Sequence, residues 1–233
     1  MIKVIERVEN TILDAIFPHQ CLCGKWGEPL CSQCFGLISK NKTQLCPVCK
    51  KLSENGKTCP NCRQRTSLTG VMIFGDHEGL LKDAIWQYKY NFVKGMSEPL
   101  VRLLSEKFGV FIKKKQFVIT SVPISKNRLN WRGFNQSELL AAGLSTSLSL
   151  EYKNLLVKTG KIKPQVGLTR KERIKNLKGK IELGSKINPK ELKSKRIIIV
   201  DDVYTTGTTL EECAKTLRNN GAREVWGIVL SRD

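Results

Sequence analysis

Two stretches of this 233-residue chain carry side chains whose types and spacing could do chemistry. The first holds eight of the nine cysteines, in short-range pairs: Cys21/Cys23, Cys31/Cys34, Cys46/Cys49 and Cys59/Cys62. A two-residue spacer lets one turn aim two thiolates at the same tetrahedral ion, so such pairs read as zinc ligands. CPVC followed nine residues later by CPNC is the stronger half, with Pro47, Pro60 and Asn61 inside the knuckles and Gly56 in the loop between them. In the first half, Cys21 and Cys23 stand one residue closer than the usual spacing. Tandem sites, the first four ligands and then the last four, are the simpler arrangement; a cross-braced pair stays open. Four thiolates fill the tetrahedron and leave no position for water, so two structural zinc ions are expected. His19, beside Pro18, is expected to be solvated rather than a ligand. Cys213 shares a helical face with Leu210, Ala214 and Leu217 and is expected in the core.

The second stretch is IIIVDDVYTTGTTL, Ile197 to Leu210. A β-branched strand hands directly to two carboxylates, Asp201 and Asp202, and ligands of open α/β sheets sit beyond the carboxyl ends of strands. Thr205, Thr206, Gly207, Thr208 and Thr209 follow at the start of a helix. There unpaired N–H groups and the positive end of the helix dipole favour phosphate, and the glycine lets the backbone approach closely. Acceptors for sugar hydroxyls beside donors for a phosphate are what a ribose 5-phosphate requires. A P-loop ATPase is the wrong match, because no Lys-Ser/Thr pair follows the glycine.

The elements that must position these groups can be read from periodicity. A short amphipathic helix is expected over residues 1 to 16, and the cysteine module ends near Arg65. Gly70 to Phe74 reads as a strand; Leu80, Leu81, Ile85 and Trp86 mark a helix, and another runs from Ser97 through Leu104. Phe117 to Val122 is a strand that stops at Pro123, followed by a polar loop with Lys126, Arg128, Arg132 and Gly133. Gln136 to Leu148 is helical in pattern. Ile197 to Val200, a helix from Thr208 to Asn219 stopped by Gly221, and Val225 to Leu230 form a βαβ unit. The expected architecture is an α/β fold with a mostly parallel sheet over residues 67–233, preceded by a small cysteine-rich zinc module and N-terminal helix over 1–66.

Lys and Arg number 40 against 21 Asp and Glu, a formal charge of +19. Fifteen of those cations lie between Lys153 and Arg196 against three glutamates, a local excess of +12 in 44 residues. A segment this basic repels itself unless something anionic neutralises it, and phosphate is the leading candidate; a lysine-rich solvated surface is the bland alternative. Forty per cent apolar residues exclude disorder across the whole chain. There is no apolar run long enough to span a membrane, and the charged start MIKVIERVEN is unlike a secretion signal, so the cytoplasm is the expected compartment. Its reducing conditions favour metal over disulfides at the cysteines.

The DDVYTTGTT segment resembles the phosphoribosyl pyrophosphate signature of the type I phosphoribosyltransferases. The resemblance implies that Asp201 and Asp202 hold the ribose 2- and 3-hydroxyls and that Thr205 to Thr209 hold the 5-phosphate. It also implies a pyrophosphate loop at Ile119 to Ser125, with Arg128 and Arg132 supplying charge from the mobile loop that follows, and Mg²⁺ accompanying the ligand. Across residues 12 to the C-terminus, the block SVPISKNRLNWRGFNQSELLA, then Lys158, Gln165, Leu168, Arg173 and Asn176, then VDDVYTTGTTL, is similar to the ComF (ComFC) competence proteins. RGFNQ, Arg132 to Gln136, is the most specific marker outside the ribose-phosphate loop. Ser121 stands where that pattern favours proline, Lys158 where it favours arginine, and the first cysteine pair is short by one.

Membership implies a role in natural transformation, handling incoming single-stranded DNA with a ComFA-type helicase-like ATPase as partner. The basic stretch suits sequence-independent binding by counterion release. Trp131 and Phe134 beside Arg128 and Arg132 suit base stacking; an apolar anchor for the loop is the equal alternative. The rival reading is an active phosphoribosyltransferase in nucleotide salvage or modification. No catalytic residue or acceptor pocket can be named from the sequence, and a fold with a ligand loop does not establish turnover.

Overall fold

Strands that are apolar on both faces need cover on both sides, and Ile197 to Val200 is such a run. In the computed structural model, which describes residues 19–38, 40, 43–90, 94–159 and 179–233, this run lies inside a four-stranded sheet. Its strands are β1 (Gly70–Asp76), β2 (Val118–Ser121), β5 (Arg196–Tyr204) and β6 (Glu224–Arg232), in the order β1-β6-β5-β2, with every neighbouring pair parallel. Strands β3 (Leu156–Lys158) and β4 (Ile181–Leu183) form a separate antiparallel pair. The helix expected over residues 1 to 16 and residues 160–178 of the basic stretch lie outside the described residues.

Side chains alternate between faces along a strand, and the core divides accordingly. Met72, Phe74, Ile198, Val200, Trp226 and Ile228 face one apolar layer with α2 (Gly79–Tyr90), α3 (Ser97–Lys115) and α5 (Gln136–Leu148), to which the short helix α1 (Ser32–Leu37) of the cysteine segment adds Cys34. Val71, Ile73, Ile197, Ile199, Val225 and Val229 face the other, with α6 (Thr208–Asn219) and the β3/β4 pair. Cys213 is fully buried in this second layer beside Leu210, Ala214 and Leu217, as its helical spacing implied.

The expected elements are present with shifted ends. Helix α3 continues to Lys115, where Gln116 closes it in the left-handed conformation. Strand β5 runs on through Tyr204, so the two acids sit within it and not in a turn. The segment after Pro123 is not a polar loop but a helix, α4 (Lys126–Arg132), which Gly133 ends at φ +72° with its N–H donating to the Leu129 carbonyl at 2.7 Å. A helix with no buried residue has no apolar stripe to announce it, which is why periodicity missed it. Trp86 was grouped with the apolar positions of α2, yet Leu81, Ala84, Ile85 and Tyr88 form the buried face and Trp86 stands in solvent.

The cysteine segment covers the outer side of β1, an edge that would otherwise expose unpaired backbone groups. The Gln44 side-chain amide acts as a surrogate strand: its Nε2 donates to the Ile73 carbonyl at 2.8 Å, and its Oε1 accepts from the Ile73 N–H at 2.9 Å. Lys107 Nζ donates to the carbonyls of Ile73 at 3.1 Å and Phe74 at 2.6 Å. Gly56 sits so close that a Cβ there would fall 1.9 Å from the Val71 carbonyl oxygen, and its φ is +73°. Gly56→Ala therefore meets both a clash and backbone strain and is expected to cost at least about 1–3 kcal/mol. Urea denaturation should read this loss, with faster modification of Cys46 and Cys62 by a thiol reagent marking the loosened segment.

Candidate functional site

Strand β5 brings Asp201 and Asp202 to the carboxyl end of the sheet, hydrogen-bonded into β6 on one side. Asp201 Oδ1 accepts from Ser137 Oγ at 2.8 Å and from the Asp202 N–H at 3.0 Å. Asp202 pairs with Lys89 Nζ at 2.8 Å, both side chains being largely shielded from solvent. Burial first, and then the neighbouring Asp202 charge, push the Asp201 carboxyl up to about 7 against the opposing pull of Ser137. One acid is thus held near its titration point at neutral pH while the other is paired with a lysine.

A cavity of about 460 Å³ opens over this pair. Its walls bring together Asp201, Asp202, Thr205 and Thr209 with Arg128 and Arg132 of α4 and the loop from Val122 to Ser125 after β2. Thr206, Gly207 and Thr208 face instead a second cavity of about 560 Å³, between the loop and the CPVC knuckle, and Thr205 forms the ridge between the two. Gly207 takes φ +73° at the N-terminus of α6, and a Cβ there would lie 2.4 Å from the Tyr204 hydroxyl. Only glycine closes this turn, and the loop amides at the positive end of a twelve-residue helix are arranged as anion binders.

The RGFNQ run divides its labour. Arg132 reaches the cavity and donates through Nη1 to Gln136 Oε1 at 3.0 Å. Gly133 makes the left-handed turn. Phe134, 7% exposed, is buried against Tyr88 at 6.1 Å between ring centroids, so it is the apolar anchor and not a stacking surface. Asn135 Nδ2 holds the Val122 carbonyl at 3.1 Å, and Gln136 begins α5. The Nε of Arg132 and the Nε2 of Gln136 are buried with no hydrogen-bond acceptor among the described residues. Buried donors of this kind are costly unless something accepts from them, and an anion in the cavity would.

Sequence reasoning missed Ser137, Lys89, Tyr90 and His77, all of which line the cavity. Ser137 immediately follows RGFNQ and was within reach of the motif. Lys89 and Tyr90 arrive from α2, and His77, whose Nδ1 lies 2.8 Å from Ser231 Oγ, from the end of β1; only the folded sheet brings them here. Lys158, at the end of β3, also lines the cavity, and burial holds its ammonium below the ordinary lysine range.

The cysteines group as Cys21, Cys23, Cys31, Cys34 and as Cys46, Cys49, Cys59, Cys62, each set with its sulfurs within 4.8 Å of one another. This is the tandem arrangement. His19 belongs to neither group, and none of the nine cysteines forms a disulfide. Cys23 and Cys31 are 3.8 Å apart at sulfur and Cys49 and Cys59 3.6 Å. A tetrahedral ion bound at about 2.3 Å requires sulfurs about 3.8 Å apart. At Cys46 burial raises the thiol, but the N–H groups of Cys49, Cys59 and Val48 outweigh it and draw the thiol down to about 6; Cys62 is driven up by its bond to Cys59 and by burial. Thiols that cannot all ionise together without a cation among them fit a divalent metal, and both tetrads could hold one. The second tetrad is tied to the phosphate loop. Lys50 Nζ lies 5.1 Å from the Tyr204 ring centre, and Glu211 in the first turn of α6 accepts from the Ser67 N–H at 2.7 Å and from the Thr66 hydroxyl.

A parallel sheet with an acid pair on its central strand and a Thr/Gly loop opening the next helix defines a phosphoribosyltransferase-type domain, and the family model for the phosphoribosyl transferase domain matches residues 136–232. Competence protein F of Haemophilus influenzae is 32% identical, over 85% of this chain and 95% of its own length. Competence protein ComFC of Streptococcus pneumoniae is 32% identical over 84% of each chain, and the DNA utilization protein YhgH of Escherichia coli 31% identical over 87% of this chain and 90% of its own. The chain belongs to this ComF/ComFC/YhgH family, a phosphoribosyltransferase-type domain joined to a cysteine-rich segment. Among the described residues, no helix is long and apolar enough to cross a membrane.

The raised Asp201 carboxyl links stability to pH. A group titrating higher in the folded than in the unfolded chain contributes stability that is full in acid and is lost as pH rises through its folded value, here about 7. Asp201→Asn keeps the acceptor for Ser137 and removes the charge. It is expected to match wild type in urea denaturation near pH 4 and to exceed it by about 1–3 kcal/mol near pH 8.

Proposed function

We propose that this protein binds phosphoribosyl pyrophosphate in the 460 Å³ cavity and handles single-stranded DNA in the cytoplasm during uptake, with a ComFA-type helicase-like ATPase as partner. The observation that carries the ligand reading is the convergence in one cavity of the acid pair, Arg128 and Arg132, with the Arg132 Nε and Gln136 Nε2 donors unpaired among the described residues. Asp201 and Asp202, which both line the cavity, would accept from the ribose hydroxyls. Thr205, Thr206, Gly207, Thr208 and Thr209 would receive the 5-phosphate on hydroxyls and backbone N–H groups, Thr205 and Thr209 from within this cavity and the others from its rim. Arg128, Arg132 and the Val122 to Ser125 loop would take the pyrophosphate. Bound Mg²⁺ would neutralise phosphate charge.

The division we propose is a cysteine-rich unit over residues 1–66, with two structural zinc ions on its tetrads, followed by a phosphoribosyltransferase-type domain over residues 67–233. The names of the relatives, competence and DNA utilization proteins, and the charge of +19 support the strand-handling role. Catalytic phosphoribosyl transfer is the second reading. It is favoured by the 560 Å³ cavity, which adjoins the ribose site across Thr205 and could admit an acceptor.

Calorimetry is expected to show phosphoribosyl pyrophosphate binding that Asp201→Ala with Asp202→Ala weakens at least about tenfold; unchanged binding would reject the site. Anisotropy with an oligothymidylate should weaken steeply with salt, and a flat dependence would reject the electrostatic model. Pyrophosphate release that depends on a base or nucleic acid acceptor would establish turnover. Metal analysis should give two zinc ions per chain, and one would confine zinc to the second tetrad.

A further inference from the structure

The outer face of α2 carries two of the chain's large aromatic groups. Leu81, Ala84, Ile85 and Tyr88 supply the buried face, and Trp86 and Tyr90 stand outside it at 53% and 43% exposure. One helical turn apart, their rings pair at 5.7 Å between centroids with a 39° tilt. The Arg132 guanidinium lies 5.4 Å from the Tyr90 ring and 5.6 Å from that of Trp131, which is 61% exposed at the end of α4. Trp86, Tyr90, Arg132 and Trp131 thus form a continuous row of planar groups from one helix to the next. It passes the mouth of the ribose-phosphate cavity, whose walls include Tyr90 and Arg132.

The helices that carry the row are mostly cationic. Helix α4 carries Lys126, Arg128 and Arg132 with no acid, and α2 carries Lys82 and Lys89 against Asp83 alone. Exposed aromatic faces interleaved with cations match a polyanion that offers flat faces of its own. A single strand does this; a duplex hides its base faces in the stack. We infer that Trp86, Tyr90 and Trp131 form a stacking track for the bases of single-stranded DNA, with Arg132 bridging the two helices beneath it and Arg128 and Lys82 beside its phosphates. The inference rests on the strand-handling function proposed above and assigns it a surface. Phe134 is excluded from that surface by its burial, and Trp86, which no sequence motif marks, joins it.

The test separates stacking from charge. The zinc-loaded full chain is titrated, by anisotropy, into an oligothymidylate and into an abasic phosphodiester strand of equal length. Trp86→Ala and Trp131→Ala, each checked by thermal melting, are expected to weaken oligothymidylate binding about tenfold, to leave the weaker abasic binding and the salt slope unchanged, and to be rescued by Trp86→Phe. If both alanine variants bind the oligothymidylate as tightly as wild type, the track is wrong while single-strand binding stands. An equal loss on the abasic strand also overturns it, because the indole would then not be contacting bases. Wild type that binds neither strand removes the functional reading and the track together.

Discussion

Two carboxylates on adjacent residues of a central, largely apolar strand are the constraint around which this fold is arranged. Asp201 is in register with Val229 of β6 and Asp202 lies in the same strand, so the backbone that carries both acids is fixed and each must meet its loss of water where it stands. The surroundings offset that cost piecewise: Ser137 and a backbone N–H at Asp201, and the Lys89 ammonium at Asp202. What stays unsatisfied among the described residues is on the donor side, where Arg132 Nε and Gln136 Nε2 are buried without an acceptor. A site that leaves acceptors for hydroxyls and donors for an anion a few residues apart is organised for a sugar phosphate and is less stable without one.

The cysteine segment belongs to the same arrangement. It closes the exposed edge of β1 through Gln44 and the close approach of Gly56, and it reaches the start of α6 through Thr66, Ser67 and Glu211. Cys21, Cys31 and Cys34 lie in the same apolar layer as Met72 and Phe74, and Arg102 of α3 covers the Phe35 ring of that segment at 4.3 Å. The second sits beside the phosphate loop, with Lys50 over Tyr204 and Tyr204 packed under Gly207. Short side chains crossing between the two segments transmit position well because each hydrogen bond fixes one geometry.

Much of this could be read without coordinates. The cysteine pairs declare themselves because metal chemistry requires fixed short spacings, and IIIVDDVYTTGTTL because strand, acids and loop are consecutive. The tandem grouping of the thiols, the parallel sheet and the burial of Cys213 match expectation. What failed did so for a physical reason. Helix α4 has no buried face and so no period to detect, and Trp86 helps to mark its helix yet stands in solvent, because hydrophobicity does not say which side of a helix faces the sheet.

The sequence by itself determined the chemistry that is local: thiol pairs for a tetrahedral ion, an acid pair at a strand end, a glycine that opens a helix. Those properties depend on neighbours a few residues away, which the chain order specifies. Only the tertiary structure decided which distant groups answer them. Ser137 and Lys89 reach the acids from 64 and 113 residues earlier in the chain. Arg132 lies between Tyr90 and Trp131 because two helices with no sequence relation to each other pack at the mouth of the same cavity. Such contacts arise from how the layers stack, and stacking is a property of all the buried surfaces at once.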